Sequence, residues 1–307
     1  MHGWIILDKP VGPGSTDAVS AVKRVLRAGG YGRTKVGHGG TLDPLASGVL
    51  PVALGEATKL AGRMLDSDKS YAFTIRFGEE TATLDAEGAT VATSPVRPGV
   101  AALEAVLGRF TGPITQVPPV YSALKVDGAR AYDLARAGEQ VTLAGRDVVI
   151  HALTLSSPAG EGGTGRSVME EEIGEVTLLA HVSKGTYIRS LARDIARALG
   201  TVGHVTMLRR TRAGPFDLGR AISLDKLAEL GHARRLDEIL LPLRAGLDDI
   251  PALSLTPDQA GALRQGRVLA GIAADDGRHF AMLGDVPVAL VEVGNRMVRV
   301  VRGFNLD

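Results

Sequence analysis

One stretch constrains this chain more than any other: residues 37–51 read GHGGTLDPLASGVLP. Its glycines allow positive φ and the close approach of another molecule, which is typical of a loop that receives a ligand. Pro44 restricts the residue before it to extended geometry, so the carboxylate of Asp43 is confined to few directions. The stretch therefore predicts an oriented acid in a ligand-accepting loop. The alternative is a solvated Asp-Pro turn, because turn chemistry favours the same pair.

The composition is that of an ordinary globular protein. Of 307 residues, 45% are apolar and 22% are charged, which excludes disordered and fibrous classes. The length allows one large domain and a small second one with a sizeable buried core. The sequence has no cysteine, which excludes disulfides and thiolate metal sites and fits a reducing compartment.

Charge and hydropathy restrict the partners. A net charge of +1 weighs against binding polyanions over the whole surface, so any RNA contact must come from local basic patches. The N-terminus reaches Asp8 before any apolar run of signal-peptide length, and no later segment approaches the length of a membrane span. These features predict a cytoplasmic protein with no membrane contact.

The central stretch, followed by LGEATK at 54–59, resembles the active-site motif of the TruB family of tRNA pseudouridine synthases, which isomerise a uridine in the T-loop of tRNA. The resemblance implies that Asp43 is the catalytic residue and that His38 works around a flipped base. Gly39 departs from the family pattern, where Ala, Thr or Ser is more usual. This change should loosen the loop without removing a reacting group.

Two further matches flank the loop. Lys9-Pro10 matches a Lys-Pro motif of the family and implies a substrate-binding Lys9, although the residues alone suggest a turn lysine. Lys69-Ser70-Tyr71 matches a position where the family tyrosine stacks on the target uracil and lies close enough to take part in proton transfer. The resemblance therefore assigns Tyr71 to catalysis. On residue type alone, a strand tyrosine is more often a packing residue.

Residues 117–136 resemble a second family signature, which begins VPPVYSALK and includes Lys125. A rigid Pro-Pro loop that carries Tyr, Lys and Arg can stack on bases and hold phosphate. Lys125 is therefore predicted to contact RNA. An ordinary packed loop remains the alternative.

A third signature, SKGTYIRSL, occupies residues 183–191. It opens a helix on which arginines recur every four residues, an arrangement that usually marks a solvated face. The resemblance implies that Arg189 pairs with the catalytic acid, and such a pair keeps a carboxylate ionised and oriented. It also implies that Tyr187 shapes the base pocket. Four more residues are predicted at the substrate or on the RNA side: Lys184, Leu208, Arg209 and Arg210.

The resemblance covers about residues 3–225 and implies an α+β pseudouridine-synthase fold, with a central mixed, mainly antiparallel sheet flanked by helices. Residues 290–301 read as two strands joined at Gly-Asn, a hairpin signal that resembles a small PUA-like module. We predict a catalytic domain at 1–246 and a PUA-like β domain at 247–307. A Gly-rich, acidic surface insertion is predicted at about 159–175.

The implied reaction converts an N-glycosidic uridine to its C-glycosidic isomer with no cofactor. The enzyme must extrude the target base from the tRNA T-arm, which costs about a few kcal/mol. Asp43 then acts as nucleophile on either C1′ of the sugar or C6 of the base, and both routes stay open. We expect a monomer that needs no protein partner.

The same residues bear on competing functions. An Asp-dependent hydrolase would need a second acid or base, and these motifs contain no paired carboxylate. A P-loop would end in Gly-Lys-Ser/Thr, and the seven histidines lack metal-ligand spacing. A module that only binds or folds RNA, with a structural Asp43, stays open, and turnover distinguishes it from a synthase.

Overall fold

A large mixed sheet carries the functional loops. The computed structural model describes residues 1–126, 128–156 and 172–306, and within them this sheet has nine strands. Along the sheet the strands are β1 (Gly3–Lys9), β3 (Ala46–Leu54), β12 (Gly203–Ala213), β4 (Lys69–Phe77), β11 (Glu175–Val182), β10 (Arg146–Leu155) and β7 (Gly112–Gln116), with β2 (Val36–His38) on β3 and β13 (Phe216–Asp217) on β12.

Helices and two short hairpins surround this sheet. The helices are α1 (Ser15–Ala28), α2 (Ala61–Asp66), α3 (Val100–Leu107), α4 (Ala131–Arg136), α5 (Ile188–Ala198) and α6 (Leu224–His232). A seventh helix, α7 (Pro257–Arg264), packs instead on the C-terminal sheet described below. The hairpins pair β5 (Glu79–Thr81) with β6 (Thr90–Thr93) and β8 (Lys125–Val126) with β9 (Ala129–Arg130). The predicted α+β class, with a mixed and mainly antiparallel sheet, is confirmed.

One parallel contact places the central loop. Within the described chain, β3 and β12 form the parallel pair of the large sheet, with Ala46 opposite Leu208 and Gly48 opposite Arg210. Gly48 has φ of +104°, and a Cβ there would lie 2.1 Å from the carbonyl oxygen of Arg210. Only glycine permits this backbone approach. The loop that ends at β3 is thereby held against the middle of β12.

A second sheet lies at the C-terminal side. Its order is β14 (Ala252–Ser254), β16 (Gly277–Leu283), β17 (Val286–Gly294), β18 (Met297–Gly303) and β15 (Leu269–Ala270). The hairpin predicted at Gly294 is present, and Asn295 and Arg296 take the positive φ that a two-residue hairpin turn requires. The small C-terminal β unit of the predicted fold class is thus confirmed.

One buried hydrophobic cluster contains residues from both sheets. Trp4 and Phe216 belong to the same buried cluster as Phe280 and Phe304 of the C-terminal unit. The indole of Trp4 also donates to the carbonyl of Leu243, at 3.2 Å. The proposed boundary between residues 246 and 247 therefore runs through continuous packing, and it stays a prediction.

Two sequence expectations concern other parts of the chain. Most of the predicted acidic insertion, residues 159–171, lies outside the described residues, and its remaining residues, 172–175, lead into β11. None of the helices in the described segments has both the length and the hydrophobicity needed to span a bilayer.

Candidate active site

The central loop rests on a buried arginine. Each of the three guanidinium nitrogens of Arg210 donates to a backbone carbonyl: Nε to Val49 at 2.7 Å, Nη1 to Thr41 at 3.2 Å and Nη2 to Gly40 at 3.1 Å. The residue is only 1% exposed. Because these carbonyls have little access to water, the cation satisfies acceptors that burial would otherwise leave unpaired. Arg210 therefore supports the loop.

A lysine completes this support. Lys9 is fully buried, and its ammonium donates to the carbonyls of Pro10 at 2.8 Å, Pro13 at 2.7 Å and Pro44 at 3.3 Å. All three of its donors have acceptors. Burial lowers the pKa of Lys9, and the nearby carboxylate of Asp43 opposes that shift. We call Lys9 and Arg210 together the loop floor.

These contacts give two of the residues predicted at the substrate or RNA a role within the fold. The sequence predicts that Lys9 and Arg210 bind substrate or RNA, but both side chains are enclosed beneath the loop and their nitrogens are occupied by carbonyls. A phosphate could reach either cation only by displacing the loop itself. Arg210 does border the cavity at Asp43, yet with every nitrogen already engaged. The motif predicts the cation correctly, whereas the direction of its side chain depends on the tertiary fold.

Asp43 lies at the end of a buried ionic chain. Its Oδ2 is 2.8 Å from Nη2 of Arg189, whose Nη1 is 3.2 Å from Oδ2 of Asp85. The side chains of Arg189 and Asp85 are each 7% exposed, whereas that of Asp43 is 43% exposed. Arg189 also donates to the carbonyl oxygens of Thr83 and Tyr121. The carboxylate of Asp43 is thus oriented by Arg189 on the side of the protein interior, and its other side is exposed.

The pairing of Arg189 with Asp43 follows the sequence prediction, but sequence reasoning misses Asp85. This acid sits in the run TATLDAEG, where a single acid carries no spacing signal. Its neighbour Leu84 has φ of 62°, an unusual conformation for a residue with a side chain. Asp85 is fixed by Thr83 and by the backbone amide of Glu87. It balances the charge of Arg189 and holds the guanidinium in place.

A cavity of about 300 Å³ opens in front of Asp43. The residues around it come from the central loop, β4, β12, the start of α5 and the loop before β8. Besides Asp43 and Arg189, its lining includes four residues that the sequence predicts, Tyr71, Tyr187, Leu208 and Arg210. It also includes four that the motifs leave unassigned, Leu65, Lys69, Ser122 and Arg146. Apolar and aromatic walls with one open carboxylate suit a planar base.

Lys69 also lines this cavity, but its ammonium is hydrogen-bonded to backbone carbonyls. Its ammonium donates to the carbonyl oxygens of Leu65, at 2.7 Å, and of Ser67. Burial, and then the nearby charge of Arg210, lowers its pKa to about 8. The lysine therefore ties the end of α2 to the first residue of β4, two residues before Tyr71.

The other predicted RNA contacts lie outside the cavity lining. Lys125 is exposed on β8, and Lys184 is exposed and 3.0 Å from Asp66. Arg209 is half-buried and holds Asp8 through two hydrogen bonds of 3.0 and 2.8 Å.

His38 ends β2, and its Nδ1 accepts a hydrogen bond of 3.4 Å from the amide of Gly40. Burial, and secondarily the charge of Arg210, lowers the pKa of His38. The imidazole therefore favours its neutral form beside the loop.

No metal centre accompanies this site in the part of the chain that the structure describes. Residues 1–126, 128–156 and 172–306 contain no group of three or more His, Cys, Asp or Glu side chains placed to hold an ion. The groups that the protein presents at the cavity include the carboxylate of Asp43, its arginine partner and the hydroxyls of Tyr71 and Tyr187.

Comparison with known sequences agrees with this arrangement. Residues 24–188 match the sequence model of the TruB family pseudouridylate synthase N-terminal domain, and residues 189–248 match that of the tRNA pseudouridylate synthase B C-terminal domain. The chain is 64% identical over 307 residues to tRNA pseudouridine synthase B of Novosphingobium aromaticivorans, covering 100% of this chain and 98% of the relative. It is 59% identical to the protein of that name from Zymomonas mobilis, covering 99% and 96%.

Solved structures give the same picture. A chain of a Cbf5-Nop10-Gar1 complex is similar with a TM-score of 0.72 and 27% identity, over 98% of this chain and 84% of that one. A chain of an H/ACA RNP bound to a substrate RNA containing 2′-deoxyuridine is similar with a TM-score of 0.71 and 25% identity, over 99% and 85%. The likeness extends over both sheets.

Proposed function

The chain belongs to the TruB family of pseudouridine synthases and isomerises a uridine of tRNA to pseudouridine, and we propose that the reaction takes place in the cavity at Asp43. The observation that carries this proposal is the difference in exposure along the chain of ion pairs Asp43–Arg189–Asp85. Asp43 is open to the cavity, while its partner Arg189 is buried and fixed by Asp85. A carboxylate held in one direction beside a base-sized cavity suits a nucleophile.

The target is the T-loop uridine at position 55, which must leave its stack to reach Asp43. Tyr71 and Leu208 flank the cavity as walls for the flipped uracil, and Tyr187 closes it from the start of α5. His38 stands beside the loop and contacts the opened RNA. No cofactor takes part in this scheme.

Two routes fit the geometry. In the first, a carboxylate oxygen of Asp43 bonds to C1′ while the C1′–N1 bond breaks and its electron pair stays on the uracil. The base rotates, C5 bonds to C1′ as the C1′–carboxylate bond breaks, the proton on C5 is lost, and N1 takes up a proton. In the second, the oxygen adds to C6 of the base before the same exchange of bonds. In both, Arg189 orients the carboxylate of Asp43 through their 2.8 Å contact, and Tyr71 lies at the cavity for proton transfer.

Further parts of the assignment concern the whole protein. We propose that residues 1–246 form the catalytic domain and residues 247–307 a PUA-like module. Lys125, Lys184 and Arg209 contact the tRNA outside the cavity, where they are exposed or half-buried. The protein works in the cytoplasm as a monomer without a protein partner.

Tritium release tests the role of Asp43. Loss of the C5 proton frees tritium from tRNA labelled at C5 of uridine, so we expect release by the native protein and a loss of at least about 10³-fold in Asp43→Asn. Asp249→Asn is the matched control, because its carboxylate also pairs with an arginine, Arg63, at 2.9 Å but does not line this cavity. Binding of tRNA is measured in parallel.

The outcomes separate the two functional classes. If Asp43→Asn released tritium at the native rate, another group would be the nucleophile. If the native protein bound tRNA and released no tritium, a module that only folds RNA would replace the synthase.

A further inference from the structure

One wall of the cavity contains polar atoms that lack partners. Among the described residues, four buried side-chain nitrogen or oxygen atoms make no hydrogen bond: Arg63 Nε, Gln116 Nε2, Ser122 Oγ and Arg146 Nη2. Buried polar groups are nearly always paired, so each exception calls for a physical reason. Three of the four belong to residues that contact Tyr187 or line the cavity. We call these three, Gln116, Ser122 and Arg146, the donor wall.

Several contacts bring the donor wall together. Arg146 stands opposite Gln116 in the ladder between β10 and β7. The side-chain oxygen of Gln116 accepts from the amide of Tyr187 at 2.8 Å, and the guanidinium carbon of Arg146 lies 4.9 Å from the centre of the Tyr187 ring. Ser122 and Arg146 both line the cavity. The unpaired donors of Ser122 and Arg146 therefore belong to the site that holds Asp43, and Gln116 lies behind them on β7.

Arg146 is the most unusual member. Within the described chain its side chain forms no ion pair and no hydrogen bond, although the residue is half-buried. Its position is fixed by stacking on Tyr187 and by its approach to Gly185, whose φ is +80°. Of its nitrogens, Nη2 is buried without an acceptor among the described residues, and a buried charged donor is costly to leave unpaired. An anion in the cavity would supply this acceptor and balance the charge.

Ser122 adds a second donor near the reacting acid. The carbonyl of Tyr121, the residue before it, accepts a hydrogen bond of 3.1 Å from the same Arg189 nitrogen that holds Asp43. The side chain of Ser122 is buried and lines the cavity. A hydroxyl and a guanidinium on one wall form a site for an oxygen-rich anion.

We propose that Arg146, together with Ser122 of the same cavity, binds a phosphate next to the flipped uridine. This inference rests on the proposed function, because it takes the cavity at Asp43 as the place of the target nucleotide. A uracil carbonyl could accept these hydrogen bonds, but only a phosphate also supplies the negative charge that Arg146 lacks. Arg146 is then a positioning residue that sets where the ribose stands relative to Asp43.

RNAs in which one backbone phosphate is replaced by an uncharged methylphosphonate test whether Arg146 binds that phosphate. The probes are T-arm stem-loop RNAs with one methylphosphonate on the 5′ or the 3′ side of the target uridine. Dissociation constants are measured in the Asp43→Asn background, so that the RNA is not converted. We expect Arg146→Met to weaken binding of unmodified RNA about 10- to 100-fold. One of the two methylphosphonates should weaken binding to the parent by a similar factor and leave Arg146→Met with no further loss.

Two results would overturn the proposal. The first is an unchanged dissociation constant in Arg146→Met, which would mean that water satisfies the donor wall. The second is an equal further loss in Arg146→Met with both methylphosphonates, which would mean that Arg146 contacts neither phosphate. Arg109→Met removes an exposed arginine after α3 and controls for the loss of one positive charge.

Two further measurements keep the test sharp. Arg146→Lys retains the charge without the planar fork, and it should bind between parent and Arg146→Met while still responding to the contacted methylphosphonate. It replaces Arg146→Met if that variant does not fold.

Tritium release by the native protein is measured separately. Failure of release removes the synthase assignment, whereas the binding comparison judges Arg146 alone.

Discussion

The loop floor and the donor wall place basic residues on two sides of one site, and their hydrogen bonding is opposite. In the loop floor, Lys9 and Arg210 give every nitrogen a backbone carbonyl. In the donor wall, Arg146 and Ser122 hold buried donors that are unpaired among the described residues. Cations whose donors are all hydrogen-bonded to backbone carbonyls stabilise the fold, whereas a buried donor without a partner can bind an acceptor from a ligand. Pairing distinguishes the two roles where residue type does not.

The largest effect is expected in the loop floor. Arg210→Met should lower the free energy of unfolding by roughly 3–5 kcal/mol, because three carbonyls lose their donor in a buried place. Arg209→Met is the matched control. Its ion pair with Asp8 is about one-third exposed, so its loss should cost below about 1 kcal/mol. Urea denaturation of both variants measures the difference. Equal losses would show that Arg210 is no more structural than its neighbour.

Lys69 sharpens the comparison through pH. Its pKa is lowered from 10.5 to about 8 in the folded protein, so between these values the unfolded chain binds more protons. Stability contributed by this group therefore rises as pH increases from about 8 to about 10.5. The rise should amount to about 1–3 kcal/mol in the native protein relative to Lys69→Met. Urea denaturation at about pH 7.5 and about pH 10 compares the two proteins. Parallel pH profiles would place Lys69 in a solvated environment.

The smallest effect on stability is expected in the donor wall. Ser122→Ala and Arg146→Met remove no side-chain hydrogen bond within the described protein, so unfolding free energies should change by less than about 1 kcal/mol. The same variants should weaken RNA binding. A stability loss as large as that of Arg210→Met would erase the distinction between floor and wall.

The motifs predicted the ion pair at the cavity because their residue types are specific. Asp43 in its Gly-rich loop and Arg189 at the start of α5 lie 2.8 Å apart, as the resemblance implied. The α+β class and the C-terminal hairpin also agree with sequence patterns. All of these carry a local signal: a long motif, an alternating strand or a turn dipeptide.

The remaining features depended on the direction of side chains. Arg209 and Arg210 are adjacent and chemically identical, yet successive side chains of a strand point to opposite faces, so one meets Asp8 and the other the loop. The alternation of side chains along β12 therefore places the two arginines on opposite faces of the sheet. Arg146 and Asp85 gave no such signal, since the residues that give them their roles in the site, Tyr187 and Arg189, lie far away in sequence.

The core shared by the two sheets has a consequence for the order of synthesis. Trp4 is synthesised long before Phe280 and Phe304, which belong to the same buried cluster. Domains that close their own cores can fold while translation continues. Here β1 can pair with β3 early, but the cluster around Trp4 is complete only after Phe280 and Phe304 have been made. Until then part of this apolar cluster stays uncovered on the nascent chain, where a factor that shields apolar surface can act.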